Sequence, residues 1–269
     1  RPYAFAEIHQ TYAPFTDGFV SYSDGCHDDI NKVIWSMRGW SLQTDVREIL
    51  TDYTNFFFGK TISEASADGI AALENNWKGP LAQNGGVEAT FAFWKNLETA
   101  NPTLQGNWRW QMLLLRAYYD TYTKRRLTYE QSLEKQANAL LSEAPKTGAE
   151  KAMESALETV NKADKVNIAP ELRQKIEQLC ADLYLSIGLQ TSVSKHKAKG
   201  YERGAVLDLV DYPLNNRWWL ADEFKKISAL PSNEAKLQRL KTISTWENPG
   251  PGSFYDDVSS VAKGPRVKT

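Results

Sequence analysis

The feature that most constrains the fold is one strand-like segment in a chain whose other periodic segments are helical. Residues 17–23 have the pattern of a short strand, which stops at Asp24 and Gly25. A strand cannot satisfy its own ladder hydrogen bonds, so it needs neighbouring strands. No other segment among the 269 residues has a comparable pattern. The sequence therefore predicts that the partner strands lie in residues outside it, and that the chain is a fragment.

Helices are predicted on both sides of this strand. Residues 3–13 place Phe5, Ile8 and Tyr12 on one helical face, and a second helix begins at residue 27 or 28 and continues to residue 37. Helix, strand and helix in this order are typical of the last unit of an α/β barrel. Residues 1–40 are therefore predicted to be the terminal strand-helix unit of a (β/α) barrel.

The rest of the sequence predicts a helical bundle domain over residues 41–245 and an irregular tail, rich in Pro and Gly, over residues 246–269. Thr44 is the predicted N-cap of the first bundle helix and Gly59 its C-terminal stop. The fold class is thus mainly α, with the end of an α/β barrel before the bundle. The predicted helices span residues 45–58, 62–77, 87–99, 107–142, 149–164, 170–187, 216–230 and 232–245.

Charge and motif content exclude several function classes. The formal net charge is −1, and the lysine run at residues 195–199 lacks interleaved aromatic residues, so no nucleic-acid partner is expected. The longest apolar runs, such as residues 112–115, are too short for a membrane span. Cys26 and Cys180 are the only cysteines, which fits neither a disulfide scaffold nor a zinc site. No phosphate-binding loop or dinucleotide fingerprint occurs, so no cofactor is expected.

The strongest candidate for chemistry is the segment that follows the predicted strand. Active sites of α/β barrels lie at the carboxyl ends of the strands, where Asp24 and its neighbour Tyr22 are predicted. His27 and Asn31 follow within two helical turns. Asp24 is expected either to hold sugar hydroxyls or to act as one of the two carboxylates that glycosidases use. Two alternatives remain. In the first, Asp24 shapes a turn while Asp28 and Asp29 cap a helix. In the second, His27, Asp24 and Asp28 take part in a metal site, although no full ligand set is evident.

Aromatic residues beside polar groups form a second candidate site. The chain contains nine Trp, twelve Tyr and ten Phe residues. Trp108 and Arg109 follow Asn107 at the start of the long helix, where the free N–H groups and the planar guanidinium suit a hydroxylated or carboxylated sugar. The alternative is that Trp108 packs in the bundle core and Arg109 lies on the surface. For a third segment, residues 203–219, packing is favoured over ligand binding, and Asn215 is predicted to cap the next helix.

Residues 17–25, 39–40, 45–53 and 56–59 resemble the junction between barrel and helical domain in several bacterial glycoside hydrolases. Enzymes similar to α-glucuronidases, α-N-acetylglucosaminidases and β-hexosaminidases have such junctions. Residues 203–219 and 246–257 resemble segments of large bacterial proteins with the same architecture. The resemblance covers most of the chain, and no segment of it is an enzyme-defining motif.

This resemblance implies that the helical domain lines part of a carbohydrate cleft. It also implies that the catalytic pair comes from earlier barrel strands, so this chain alone is expected to be inactive. The related pattern has Ser-Glu-Gly where this sequence has Ser23, Asp24 and Gly25. The shorter Asp24 side chain favours substrate binding over catalysis, because a displacement of roughly an ångström lowers catalysis strongly.

The expected function is therefore the C-terminal part of a glycoside hydrolase that acts on polysaccharides or oligosaccharides. Its expected partners are the carbohydrate substrate and the remainder of the barrel, and a periplasmic or extracellular location is favoured. The alternative is a non-catalytic carbohydrate-binding or helical interaction module. The predicted substrate-binding residues are Asp24, Tyr22, His27, Asn31, Trp108 and Arg109.

Overall fold

The computed structural model describes residues 1–20, 22, 28–201 and 204–244, and this part of the chain is mainly helical. It forms two compact units, the first built from residues 1–121 and 174–189 and the second from residues 122–173 and from residue 190 onward. Thirteen α-helices occur in the described ranges. They are α1 Pro2–Tyr12, α2 Asp29–Trp40, α3 Val46–Phe58, α4 Ser63–Asn75, α5 Gly86–Ala100, α6 Trp108–Ser142, α7 Ala144–Thr147, α8 Ala149–Val160, α9 Pro170–Ile187, α10 Val193–His196, α11 Val206–Leu209, α12 Arg217–Ser228 and α13 Asn233–Ser244.

The predicted strand is absent from the part of residues 17–23 that the structure describes. Residues 17–20 and 22 carry no strand, and no other described residue does. The physical reason is that a strand needs a second strand to satisfy its main-chain hydrogen bonds, and the described ranges contain none. The described chain therefore contains a helical domain and no barrel portion. The predicted boundary after residue 40 stays a prediction, and the predicted tail at residues 246–269 lies outside the described residues.

Helix boundaries follow local sequence signals closely, with one correction. Helix α3 begins after Asp45, whose carboxylate accepts hydrogen bonds from the main-chain N–H groups of Arg47 and Glu48, so Asp45 rather than Thr44 is the N-cap. Gly59 ends the helix at a φ of 99°, which glycine adopts without strain. The predicted long helix is confirmed as α6, which spans 35 residues.

The core of unit 1 is aromatic, and its packing depends on the close approach of helices α4 and α5. Trp94 and Trp110 are fully buried, with ring centroids 5.3 Å apart in an edge-to-face arrangement. The indole N–H of Trp94 donates to the carbonyl oxygen of Gly69 at 3.1 Å. A Cβ at Gly69 would lie only 2.8 Å from the Trp94 ring, so helices α4 and α5 approach this closely because Gly69 has no side chain.

The core of unit 2 combines an alanine-rich apolar cluster with a buried ionic network. Glu130 is 1% exposed and binds two arginines, Arg126 at 2.5 Å and Arg217 at 2.8 Å. Arg126 also donates to the carbonyl oxygens of Val210 and Tyr212, at 2.6 and 3.0 Å. The apolar cluster consists of Ala137, Leu141, Ala144, Ala149, Ala152, Met153, Ala156, Val160, Leu220, Phe224, Ile227, Leu240 and Ile243.

The same network fixes the start of α12. The N-cap of α12 is Asn216 rather than the predicted Asn215, one residue earlier. The amide oxygen of Asn215 nevertheless accepts the main-chain N–H of Arg217 at 3.3 Å and the Arg217 guanidinium at 2.9 Å. Asn215 and Arg217 are both buried, and the N–H of Leu214 donates to Glu130 at 2.8 Å. This segment therefore packs inside unit 2, which agrees with the favoured interpretation of the third candidate.

None of the helices in the described ranges is both long and apolar enough to cross a membrane.

Replacing Glu130 should strongly destabilise unit 2. Glu130→Gln leaves the buried Arg126 guanidinium without a carboxylate and Arg217 with only the exposed Asp164. Breaking a buried pair in this way costs about 3–5 kcal/mol of unfolding free energy. Glu143→Gln is the matched control, because Glu143 makes only an exposed pair with Lys146 and should change stability by about 0.5 kcal/mol or less. Urea unfolding followed by circular dichroism measures both variants. Equal stabilities of the two variants would contradict a structural role for the Glu130 network.

Candidate binding pocket

A pocket of about 220 Å³ lies in unit 1, where helices α2 and α6 begin. Helices α3 and α4 complete its walls. Its lining combines aromatic rings, aliphatic side chains and charged groups. The lining residues are Arg1, Pro2, Asp29, Ile30, Asn31, Tyr53, Ile70, Leu73, Glu74, Trp77, Trp108, Arg109, Met112, Leu113 and Arg116.

Asn107 fixes the start of α6 beside the pocket. Its amide oxygen accepts the N–H groups of Arg109 at 3.0 Å and of Trp110 at 3.3 Å, which satisfies two free donors of the first helical turn. Its amide nitrogen donates to the carbonyl oxygen of Phe57 at 3.0 Å, at the end of α3. These hydrogen bonds place Trp108 and Arg109 at a defined position relative to α3.

An ion pair between Arg109 and Asp29 joins two walls of the pocket. The Nε atom of Arg109 lies 2.7 Å from Oδ2 of Asp29, and Nη2 lies 3.3 Å from Oδ1. This is the bidentate geometry that suits a planar guanidinium and a carboxylate. The guanidinium also lies against two rings, 3.7 Å from the Phe57 centroid and 4.0 Å from that of Trp108.

Tyr53 completes this arrangement from helix α3. Its hydroxyl donates to Oδ2 of Asp29 at 2.6 Å, and the residue is only 5% exposed. Burial, followed by the hydrogen bond to Asp29, raises the pKa of the Tyr53 hydroxyl well above its ordinary value. Asp29 thus accepts hydrogen bonds from two side chains and holds three helices together.

Glu74 is the second carboxylate of the pocket lining, and it caps helix α1. Its two oxygens accept the N–H groups of Tyr3 at 2.8 Å and of Ala4 at 2.9 Å. These are N–H groups of the first helical turn, which have no partner within the helix. Glu74 is 5% exposed, so its hydrogen bonds and its burial both serve the packing of α1 on α4.

Trp77 and Arg116 form the opposite wall. The Arg116 guanidinium lies 4.7 Å from the centroid of the Trp77 ring, and Trp77 is 55% exposed. Arg116 pairs with Asp120 one turn further along α6. Asp120 also accepts a hydrogen bond from the Asn76 amide at 3.0 Å, which ties this wall to the end of α4.

The structure brings three of the six sequence-predicted site residues together. Asn31, Trp108 and Arg109 all line the pocket, although Asn31 is more than 70 positions away in the chain. Tyr22 is 84% exposed and does not line the pocket. Asp24 and His27 lie outside the described residues. Whether these six residues bind substrate stays a prediction.

Sequence reasoning missed four lining residues, Asp29, Tyr53, Trp77 and Arg116. Asp29 was interpreted as a helix cap, and the others lie inside or just after predicted bundle helices. The position of Trp77 just before Gly79 and Pro80 is a sequence signal, because a large aromatic residue there lies where a helix ends in a turn. Arg116 and Asp120 carried an i, i+4 charge pattern, which indicates a pair but not a pocket.

Both carboxylates that line the pocket in the described ranges are engaged by other groups of the protein. General acid–base catalysis requires a carboxyl group that can reach the substrate and exchange a proton with it. Asp29 is engaged by Arg109 and Tyr53, and Glu74 by two main-chain N–H groups. Among the lining residues in the described ranges, no other carboxylate is present.

Comparison with known proteins gives no match: no protein-family model, no curated protein and no solved structure is similar to this chain.

The raised pKa of Tyr53 predicts a specific loss of stability in alkali. A group whose pKa is higher in the folded state stabilises the fold fully below its unfolded pKa, about 10 for tyrosine, and this stability falls as the pH rises further. Tyr53→Phe should therefore reduce the pH dependence of unfolding free energy above pH 10 by up to about 1.4 kcal/mol per pH unit. Tyr12→Phe is the control, since Tyr12 is 62% exposed. Urea unfolding at pH 8 to 11 measures this difference, and identical slopes in the two variants would contradict it.

Proposed function

We propose that this chain supplies substrate-binding residues of a glycoside hydrolase that acts on polysaccharides or oligosaccharides. The observation that carries the proposal is the convergence of Asn31, Trp108 and Arg109 on one pocket, together with Trp77. These residues come from three separate segments of the chain. The sequence pattern alone predicts the first three as substrate-binding residues.

The chemistry of the lining suits a sugar ring. The C–H face of a pyranose packs on an aromatic ring, and Trp77 offers a largely exposed one. Amide and guanidinium groups supply hydrogen bonds to hydroxyl groups, and Asn31 and Arg109 carry such groups. Small-molecule pockets commonly combine an apolar lining with a few placed polar groups. A volume of about 220 Å³ is below the roughly 300–1,000 Å³ of pockets for drug-sized ligands, which favours a single sugar ring.

Binding is assigned to this pocket and catalysis to residues outside it. Glycosidases use a pair of carboxyl groups on either side of the scissile bond. The two carboxylates of the pocket are held by hydrogen bonds within unit 1 and serve its packing. The catalytic pair is therefore placed on other strand ends of a (β/α) barrel, as the resemblance implies.

The barrel itself is part of the proposal, and exposed apolar residues of unit 1 support it. Helix α1 buries Pro2, Ala6 and His9, whereas Ile8 and Tyr12 of its predicted apolar face are exposed. The segment that follows α1 and the end of α2 expose further large apolar side chains. The exposed residues are Ile8, Tyr12, Phe15, Phe19, Val20, Met37 and Trp40. Contiguous exposed apolar surface is typical of a face that packs against another element.

A non-catalytic carbohydrate-binding module is the second candidate. The observation that favours it is that both carboxylates of the pocket are engaged. The two candidates are distinguished by incubating the protein from its native source with a panel of aryl glycosides and with the matching oligosaccharides. Hydrolysis supports the hydrolase, and binding without hydrolysis supports the module.

Trp108→Ala should weaken oligosaccharide binding at least tenfold, because it removes the ring that supports Arg109 in the pocket wall. Tyr201→Ala is the matched control, because Tyr201 is 44% exposed, does not line the pocket and lies outside the exposed apolar surface of unit 1. Isothermal titration calorimetry with plant, algal and bacterial oligosaccharides measures both affinities. The proposal is wrong if no oligosaccharide binds, or if the two variants lose affinity equally.

A further inference from the structure

Arg116 presents a cation to the pocket while its counter-ion lies behind it. Arg116 lines the pocket, whereas its partner Asp120 does not and is only 6% exposed in its side chain. Asp120 is held in place by the Asn76 amide at 3.0 Å. Within the described ranges, Asp120 is the only hydrogen-bond acceptor of Arg116. A guanidinium has five N–H donors, so most of the donors of Arg116 have no acceptor among the described residues.

The charge of the lining is biased toward cations. Three arginines, Arg1, Arg109 and Arg116, stand against two carboxylates, Asp29 and Glu74. Asp29 faces Arg109 at 2.7 Å, and Glu74 binds main-chain N–H groups rather than an arginine. Neither carboxylate forms a salt bridge with Arg116 in the described part of unit 1. A ligand that brings its own negative charge would therefore meet a compatible field at Arg116.

Trp77 stands beside this cation and is accessible. The Arg116 guanidinium lies 4.7 Å from its centroid, and more than half of the Trp77 surface is exposed. The guanidinium also lies 5.2 Å from the centroid of the Tyr119 ring, so two aromatic rings and Asp120 contact it. A planar, oriented fork is suited to an oxyanion, which it binds through two parallel hydrogen bonds.

We propose that the ligand of this pocket is an anionic sugar, a pyranose ring that bears a carboxylate or a sulfate ester. Its oxyanion binds Arg116, and its ring lies on Trp77. A carboxylate and a sulfate ester can both accept two parallel hydrogen bonds from the Arg116 guanidinium. The experiment below shows which of the two binds more tightly. This inference rests on the proposed carbohydrate function and narrows it to acidic substrates.

The test compares ligands of matched shape on the unmodified protein by isothermal titration calorimetry. The ligands are methyl glucuronoside, its uncharged methyl ester, methyl glucoside and methyl glucoside 6-sulfate. At least tenfold tighter binding of the glucuronoside or the 6-sulfate than of both neutral ligands is expected, and the tighter of the two identifies the oxyanion. Acetate and inorganic sulfate are included as small anions that lack a ring.

Two variants assign the effect to Arg116. Arg116→Lys keeps a positive charge beside Asp120 but removes the planar fork, so it should lose most of the preference for the anionic sugar. The double variant Arg116→Gln with Asp120→Asn removes the cation without leaving a buried carboxylate unpaired, and should bind charged and neutral sugars alike. Circular dichroism of each variant establishes that it is folded before its affinities are compared.

The outcomes separate this inference from the function on which it rests. Equal binding of neutral and anionic sugars, abolished by Trp108→Ala, would overturn the inference and leave the carbohydrate function standing. Small anions that bind as tightly as the anionic sugar would overturn the inference, since the ring would then contribute nothing. A protein that binds none of these sugars, and no oligosaccharide of the earlier panel, would remove the carbohydrate function itself.

Discussion

The candidate site depends on the ion pair between Asp29 and Arg109. Asp29 stands at the start of α2 and Arg109 at the start of α6, while Tyr53 binds the same carboxylate from α3. An ion pair that is about a quarter exposed adds little stability by itself. Here it is also a geometric constraint, because the carboxylate can accept all these hydrogen bonds only when the three helices meet at one point. The cleft between them is the pocket, and the Arg109 guanidinium stacked on Trp108 forms part of its wall.

Unit 2 also contains an ionic network, but this network lies in the core of the unit. Glu130 binds Arg126 and Arg217 and accepts the N–H of Leu214, and all these groups are buried or partly buried. The polar groups of this network bind one another and serve packing, although the buried Nε of Arg217 has no partner in the described ranges. The pocket in unit 1 differs because the Arg116 side chain is 36% exposed, against 3% for Arg217, and because Trp77 has an open surface. Exposure of the guanidinium beside an accessible ring therefore distinguishes the pocket from this structural network.

The sequence led to part of the pocket and missed the rest for a physical reason. Trp108 and Arg109 attract notice because they follow a capping Asn107 at a helix start, which is a local signal. Trp77 lies in the turn after α4 and Arg116 lies on α6, and only the tertiary packing brings their side chains together. Asp29 was interpreted as a helix cap because carboxylates are common there. Its main partner is instead a guanidinium 80 residues away, which no local pattern can indicate.

By itself, the sequence determined where the helices begin and end. Most of those limits follow from local backbone chemistry, such as the cap made by Asp45 and the positive φ of Gly59, whereas the start of α1 is capped by Glu74 from α4. Only the tertiary structure decided which helical faces are buried. Phe5, Ile8 and Tyr12 looked like the inner face of α1, yet Ile8 and Tyr12 are exposed while Ala6 and His9 are buried. The tertiary structure also decided that Asp29, which pairs with Arg109, lines the pocket, whereas Asp120, which pairs with Arg116, does not. Helix limits are set by short-range backbone chemistry, whereas burial and ion pairing depend on which distant surfaces meet.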